Sequence, residues 1–369
     1  MRVPVLSVQG QPLMSTKPSR ARRWLKSGKA KVVYNDLGIF TVQLLSEPSD
    51  TKTQPVSVGV DPGKHYTGIG VQSAKATLWM AHLQLPFDIV KGRMEQRRMM
   101  RRGRRGRRIN RKIPYAQRAH RQARFDNRRH KKVPPSIRAN RQLELRVVKE
   151  LIKLYPLTTL VWEVVVARGN KGFSPVMVGQ YWAIDQLKNI LPVVTQEGWQ
   201  TSNTRQWLGL EKHKTNKGDT IPETHAVDGV SLASSQFVRY RQIKGKQGWW
   251  EGSVNITPAP FAVIRRPPIC RRQLHLMVAS KGGVRRKYGG TTTRHGFRKG
   301  DYVKAEMAGR VVYGWVSGDT EKQVSVSNAD WKRLGQFSAK KVQLLQQSTG
   351  LIVVPSTGLS NLPLLKGSI

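Results

Sequence analysis

Residues 91–132 hold 19 lysines and arginines against two acids, Glu95 and Asp126. No water-excluding core can be built from such a stretch, because burying unpaired cations is strongly unfavourable. Within it, MEQRRMMRRGRRGRRINRK puts arginines on every face of a helix, so the element cannot dock on a core by one apolar side. Like charges at this density repel one another, and a helix of this kind is expected to be wrapped by a polyanion.

The same sign runs through the whole chain, where 65 basic and 22 acidic residues among 369 leave a formal charge of +43. A phosphate backbone, with its releasable counterions, is the expected neutralising partner. A membrane is not: no run approaches the roughly 18 apolar residues of a spanning helix, and the first residues do not read as a leader, so a cytoplasmic protein is expected. A single cysteine, Cys270, excludes an intrachain disulfide and a thiolate zinc cluster, and is expected to be a small buried apolar residue.

Length suggests two or three modules. Residues 1–54 begin with a strand-like Val3 to Val8, followed by a short basic helix, Pro18 to Lys26, stopped by Gly28, and then by strand text. SEPSDTKTQP marks a boundary by its Ser, Thr and Pro content. VSVGVDPGKHYTGIGV then reads as a hairpin whose first strand ends on Asp61. After Pro134 and Pro135, RANRQLELRVVKELIKLYP has helical periodicity, TTLVWEVVV reads as a buried strand, a helix is expected around Tyr181 to Leu191, and VVTQEGWQTSNT leads into a basic loop. TIPETHAVDGVSLASSQF predicts a helix with Thr220 as N-cap and Pro222 in the first turn. From about residue 250, DYVKAEM, GRVVYGWVSG and KQVSVSN predict a small β-barrel or sheet.

Acids are so scarce that three in apolar surroundings stand out: Asp61 in VGVDPG, Glu163 in VWEVV and Asp228 in HAVDG. Each alone is explained by an ion pair with one of the many bases. Together, a strand acid before a glycine hairpin, a later strand acid and a helix acid follow the order in which ribonuclease H folds collect metal ligands. Oxygen ligands suit Mg²⁺, and two such ions can activate a water and stabilise the leaving oxygen of a phosphodiester. His225 lies three residues before Asp228, on the same helix face, where it would orient or deprotonate the water or contact the scissile phosphate. Glu223 is the competing acid, expected to satisfy the helix N-terminus instead.

These segments resemble a known family. QPLMSTKPSRARRWLKSGKAKVVY resembles the N-terminal PLMP module of the IscB and IsrB proteins, with Ser15 where the family usually continues with Pro. VGVDPGKHYTGIGV, VWEVV and ETHAVDGVSLA resemble its three RuvC motifs, MRRGRRGRRINRK its arginine-rich bridge helix, and GFRKGDYVKAE a C-terminal block. The resemblance implies an α/β, ribonuclease H-like (RuvC) fold split by the bridge helix. Its parts are a PLMP module at 1–54, RuvC parts at 55–90, 133–210 and 211–250, the arginine-rich region at 91–132 and a C-terminal β-rich module at 251–369. It implies a transposon-encoded nuclease guided by a long noncoding omega RNA, with catalytic residues Asp61, Glu163, His225 and Asp228, the three carboxylates holding two Mg²⁺ ions, for which Mn²⁺ substitutes. One protein per RNA is expected, acting on double-stranded DNA beside a short flanking motif.

IscB carries an HNH nuclease between the second and third RuvC motifs, whereas here 225 − 163 = 62 positions separate Glu163 from His225. Those positions must already hold a strand and a helix, and the histidine inside, His213, lies in a polar string. The expectation is the IsrB type: one RuvC site that nicks the non-target strand. An RNA-binding scaffold without catalysis and a stand-alone junction resolvase are the alternatives; the first leaves the three acids unexplained, the second the basic insertion and the β module. Arg97, Arg98, Arg101, Arg102, Arg104, Arg105, Arg107, Arg108 and Arg111 are expected on RNA and heteroduplex phosphates, with Tyr115 and Phe125 as candidates for base stacking. In the C-terminal module, Arg285, Arg286, Lys287, Arg294 and Arg298 are expected to contact nucleic acid.

Overall fold

The computed structural model of the chain describes residues 1–108, 112–117, 133–166, 176–212, 214–216, 219–242, 248–269, 274–278, 284–288 and 290–360. Two compact units divide it. One comprises Met1–Leu85, Asn140–Arg266 and Leu351–Ile369, the other Pro86–Ala139 and Pro267–Gly350.

The first unit opens with strands β1 (Val3–Leu6) and β2 (Pro12–Thr16), helix α1 (Pro18–Lys26), β3 (Ala30–Tyr34) and β4 (Phe40–Leu44), which form a four-stranded sheet in the order β2-β1-β4-β3. Ala21 of α1 is buried on it among Val3, Val5, Ala30 and Val42. Helix α1 spans the residues expected of it, with Pro18 at its start, where a missing N–H costs nothing.

A meander follows: β5 (Val56–Pro62), β6 (Tyr66–Ser73) and β7 (Ala76–Gln84). The first two are the strands of the expected hairpin, and the third is an addition to it. After helix α2 (Phe87–Arg108) of the second unit and helix α3 (Pro135–Ile152) come β8 (Leu157–Val164), α4 (Gln180–Lys188), β9 (Val193–Glu197), α5 (Gly198–Trp207), the short pair β10 (Lys214–Asn216) and β11 (Asp219–Thr220), α6 (Pro222–Ser234), the hairpin β12 (Val238–Arg241) and β13 (Trp249–Gly252), and β14 (Ala259–Arg265). The second unit then supplies the hairpin β15 (Leu274–Val278) and β16 (Val284–Tyr288). It continues with β17 (Tyr302–Met307), β18 (Arg310–Asp319), β19 (Gln323–Ser327), β20 (Arg333–Ser338) and β21 (Val342–Gln346), before β22 (Ile352–Ser360) returns to the first.

Seven strands make the large sheet in the order β22-β14-β7-β6-β5-β8-β9. β5, β6 and β7 are antiparallel neighbours, while β8 runs parallel to β5 and β9 parallel to β8. This mixed α/β sheet is consistent with the expected ribonuclease H-like fold. Alternation along β5 explains its two faces. Val56, Val58 and Val60 enter the main core with Leu143, Val147 and Leu151 of α3 and Ala183, Ile184 and Leu187 of α4. Ser57, Gly59 and Asp61 point the other way, where α6 lies.

That second face is lined with glycine because α6 comes into backbone contact with it. A Cβ at Gly59 would sit 2.1 Å from the Gly229 carbonyl oxygen, one at Gly70 would sit 2.5 Å from the Val230 nitrogen, and one at Gly229 of α6 itself would meet the Gly70 nitrogen at 2.6 Å. Ser57 Oγ donates to the Ala233 carbonyl at 2.5 Å. Thr220 does not cap α6: it lies in β11, the N-cap is Ile221, and no side chain closes that end. Pro222 at the first position already removes one orphan N–H, so the cap matters less. Of Glu223 only the backbone belongs to the described residues.

The turn after Asp61 is held from below by the start of α3. Arg141 donates from Nη2 to the Gly63 carbonyl at 2.9 Å, and Asn140 Nδ2 to the Lys64 carbonyl at 2.9 Å. Arg141 and Glu144 form an ion pair at 2.9 Å with side chains 1% and 0% exposed, and Thr67 donates to Glu144 at 2.6 Å. Breaking a buried pair strands a charge, which costs about 3–5 kcal/mol, whereas replacing both partners with apolar groups of similar size is close to neutral. Arg141→Met is therefore expected to lower the urea midpoint of unfolding sharply, and Arg141→Met with Glu144→Leu to regain much of that loss.

In the second unit, β17 to β21 form a five-stranded antiparallel sheet, order β20-β19-β18-β17-β21, around Val303, Val316, Val324, Val326 and Phe337. It contains the three segments expected as strands. β14 and β22 lie within the 251–369 span but are strands of the large sheet. Cys270, His213 and Phe125 fall outside the described residues. No helix among the described residues is long and apolar enough to cross a membrane.

Candidate active site

Strand β8 lies parallel to β5 with Trp162 beside Val60, so the next residues, Glu163 and Asp61, are neighbours at the strand ends. Adjacent strands are about 4.8 Å apart. Both side chains lie opposite the main core, since Val60 and Trp162 belong to that core. Helix α6 then delivers His225 and Asp228 over the same spot: His225 Nε2 is 3.8 Å from Asp61 Oδ2. The four residues singled out by sequence thus converge at one end of the sheet.

Three further side chains that sequence reasoning missed reach into the cluster. Arg205, on α5, donates from Nη1 to Asp228 Oδ1 at 2.6 Å. The Lys212 ammonium bonds to Asp228 Oδ2 and stands 4.0 Å from Asp61 Oδ2, bridging the two carboxylates. Thr201, also on α5, donates to Glu163 Oε2 at 2.5 Å. Helix α5 exists despite weak helix formers because Glu197 and Gln200 close a reciprocal capping box at its start.

Electrostatics follow from this crowding. Burial, then the charges of Glu163 and Asp228, hold the Asp61 carboxyl well above its ordinary range. Glu163 is raised by burial and by Asp228, against the Thr201 hydrogen bond. Burial would raise Asp228 too, but Lys212 and Arg205 outweigh it and hold the carboxyl below its usual value. Burial and the Lys212 charge lower His225 to about 4, against the opposing pull of Asp228. Behind it, His82 of β7 is 1% exposed and lowered to about 3 by burial and by His225. The two imidazoles meet edge to face at 5.1 Å, and burial disfavours a proton on either ring.

As they stand, no three His, Cys, Asp or Glu side chains among the described residues are arranged around a metal position. The donor set nevertheless fits a hard divalent cation. Glu163 and Asp228 raise the proton affinity of Asp61, and Asp228 raises that of Glu163, which is the mark of negative charge gathered at one place, and a positive charge, the Lys212 ammonium, already sits between Asp61 and Asp228.

The other residues expected to bind nucleic acid belong to the second unit. Arg97, Arg98, Arg101 and Arg102 lie on α2, as do the backbones of Arg104, Arg105, Arg107 and Arg108, whose side chains fall outside the described residues, as Arg111 does altogether. Tyr115 is 59% exposed. Arg285, Arg286 and Lys287 are on β16, with side chains outside the described residues. Arg294 and Arg298 are exposed, and Arg294 Nε is 4.0 Å from Asp319.

The site is a group of carboxylates at the ends of β5 and β8 of a mixed sheet consistent with a ribonuclease H-like fold. Residues 3–170 match the family model described as RRXRR protein; Arg101 to Arg105 reads RRGRR. No curated protein sequence matches the chain. Similar solved structures include RuvC of Thermus thermophilus in complex with Holliday junction substrate, at 13% identity and TM-score 0.27, covering 49% of this chain and 90% of that one. The Thermus thermophilus RuvC structure is similar at 12% identity and TM-score 0.26, covering 48% and 90%.

Proposed function

We propose that this protein is an omega-RNA-guided, divalent-metal-dependent endonuclease that nicks the non-target strand of DNA, of the IsrB kind. The observation that carries this reading is the convergence of Asp61, Glu163 and Asp228, from two neighbouring strands and a helix, with His225 beside them. The arginine-rich helix α2, the charge of +43 and the RRXRR match over residues 3–170 support the RNA partner.

Asp61, Glu163 and Asp228 would hold Mg²⁺, with Mn²⁺ as substitute, and the metal would supply Lewis acidity at the phosphodiester. His225 Nε2 accepts the proton of the attacking water. The buried His82 ring packs against His225 and limits its rotation. Arg205 and Lys212, drawn to Asp228 here, would offset the charge of phosphate oxygens brought to the carboxylates.

The test is a supercoiled plasmid bearing one target, incubated with protein, guide RNA and Mg²⁺. Open circle is the expected product, with end label released from the non-target strand. Prompt linear DNA, or label released from the target strand, would refute the nickase reading. Cutting of a four-way junction without RNA would point to a resolvase.

A further inference from the structure

Helix α5, whose Arg205 bonds Asp228, ends on Trp207. Trp207 stacks on Trp250 of β13, with centroids 4.8 Å apart and ring planes 21° apart, and Tyr240 of β12 leans on Trp250 at 5.5 Å. β12 and β13 are paired with Tyr240 opposite Trp250 and Arg241 opposite Trp249. A group of aromatics that served only to pin a hairpin would be expected to bury its rings. Here Trp207 is 40%, Tyr240 46% and Trp249 48% exposed. Water-facing indole and phenol rings at this density are unusual in a chain with 7% aromatic residues. Exposed Arg239 and Arg241 lie with Trp249 and Glu251 on the other face of the hairpin, where Glu251 pairs with Arg241 at 2.9 Å.

Water-facing rings at the end of the helix whose Arg205 bonds Asp228, in a chain of charge +43, describe a stacking platform for unpaired bases. A duplex has no open base faces to offer, and its stacked pairs cannot splay onto side chains without being unpaired. We infer that Trp207, Tyr240 and Trp250 bind single-stranded DNA by base stacking and feed it to the carboxylate cluster. The inference rests on the proposed nuclease reading for the identity of the strand, though not for the binding itself.

The test uses the full chain carrying Asp61→Ala, so that no strand is cut, with its RNA bound where RNA co-purifies. The probes are four 12-mers: oligo-dT with 5-iododeoxyuridine at one position, its abasic counterpart with the same phosphates, the duplex form, and oligo-rU. Irradiation is expected to attach the iodouridine probe to the peptides of Trp207, Tyr240 or Trp250. Tyr240→Leu and Trp207→Leu, which keep apolar bulk but lose the aromatic face, should each weaken oligo-dT binding roughly tenfold. Tyr240→Phe should retain it. Binding of the abasic probe should be unchanged by the Leu variants, and the salt slope should stay constant because no phosphate contact is lost.

Equal affinity of the Leu variants for oligo-dT would reduce the aromatics to a hairpin anchor and overturn the inference. So would cross-links confined to other peptides, or a loss seen only with oligo-rU. Cross-linking at these peptides in a protein that never cuts DNA would leave the platform standing and sink the nuclease reading. Normal nicking by the Leu variants with no cross-link would do the reverse.

Discussion

Asp61→Ala, Glu163→Ala and Asp228→Ala are each expected to reduce DNA cutting by a factor of about 10³ or more while leaving RNA and target binding nearly intact. All three carboxylates sit in one cluster at the strand ends, and none belongs to the arginine-rich helix. Cleavage and mobility shift measured in parallel would check this, with Mg²⁺ and with EDTA; full cutting by any two of the variants would remove the assignment. The same cluster has a signature without metal. Asp61 is held above its ordinary range in the folded chain, so its ionisation costs stability as pH rises from the unfolded value through the raised one, and that cost is absent in acid. Asp228 works in the opposite direction, its contribution being lost as pH falls. In the metal-free protein at neutral pH, Asp61→Asn should therefore raise the melting temperature, by roughly 2–4 °C for each 1 kcal/mol relieved, and added Mg²⁺ should stabilise the wild type more than this variant.

Gly70→Ala and Gly229→Ala are expected to be nearly as damaging to cutting, though neither residue is part of the chemistry. The added Cβ would lie 2.5 Å from the Val230 nitrogen in one case and 2.6 Å from the Gly70 nitrogen in the other. Backbone atoms cannot rotate aside as a flexible side chain can, so α6 has to lift. Overpacking of this kind costs about 1–3 kcal/mol. The larger consequence is positional, because α6 carries His225 and Asp228 while Asp61 and Glu163 stay on the sheet. A misplacement of about 1 Å in a catalytic constellation is worth about 10²-fold in rate. Nicking rates beside urea unfolding curves would separate the two effects. Gly103→Ala on α2, where nothing lies within 4 Å of the new methyl group, is the control and should leave folding intact.

Much of this site is legible in the amino-acid sequence, for a physical reason. In a chain this basic, an acid kept inside an apolar strand is costly, so Asp61 and Glu163 announce themselves by context, and the helical spacing of His225 and Asp228 puts them on one face. Arg205 and Lys212 cannot be found in the same way: among 65 basic residues no local pattern distinguishes the two that turn toward Asp228. Helix α5 is hidden because its Gly, Thr, Ser and Asn content argues against a helix, and its stability depends on the Glu197–Gln200 box. His82 sits in β7, a strand that is hard to see because ATLWMAHLQ is apolar on both faces. The partners of β14 and β22 are set by pairings across the whole length of the chain, which no window of sequence contains.

The outermost position of β22 sets a schedule for biosynthesis. The sheet that carries Asp61 is begun at Val56 and finished only when Ile352–Ser360 reaches β14. At about 5–20 residues per second, the ribosome needs roughly 15 to 60 s to travel the 352 − 62 = 290 residues between the end of β5 and the start of β22. Throughout that interval the growing sheet has an unpaired edge, first β7 and then β14, open to any other extended chain. A nascent chain arrested before residue 351 would carry every carboxylate of the cluster and still expose β14, so it is expected to aggregate instead of accumulating as a smaller folded protein.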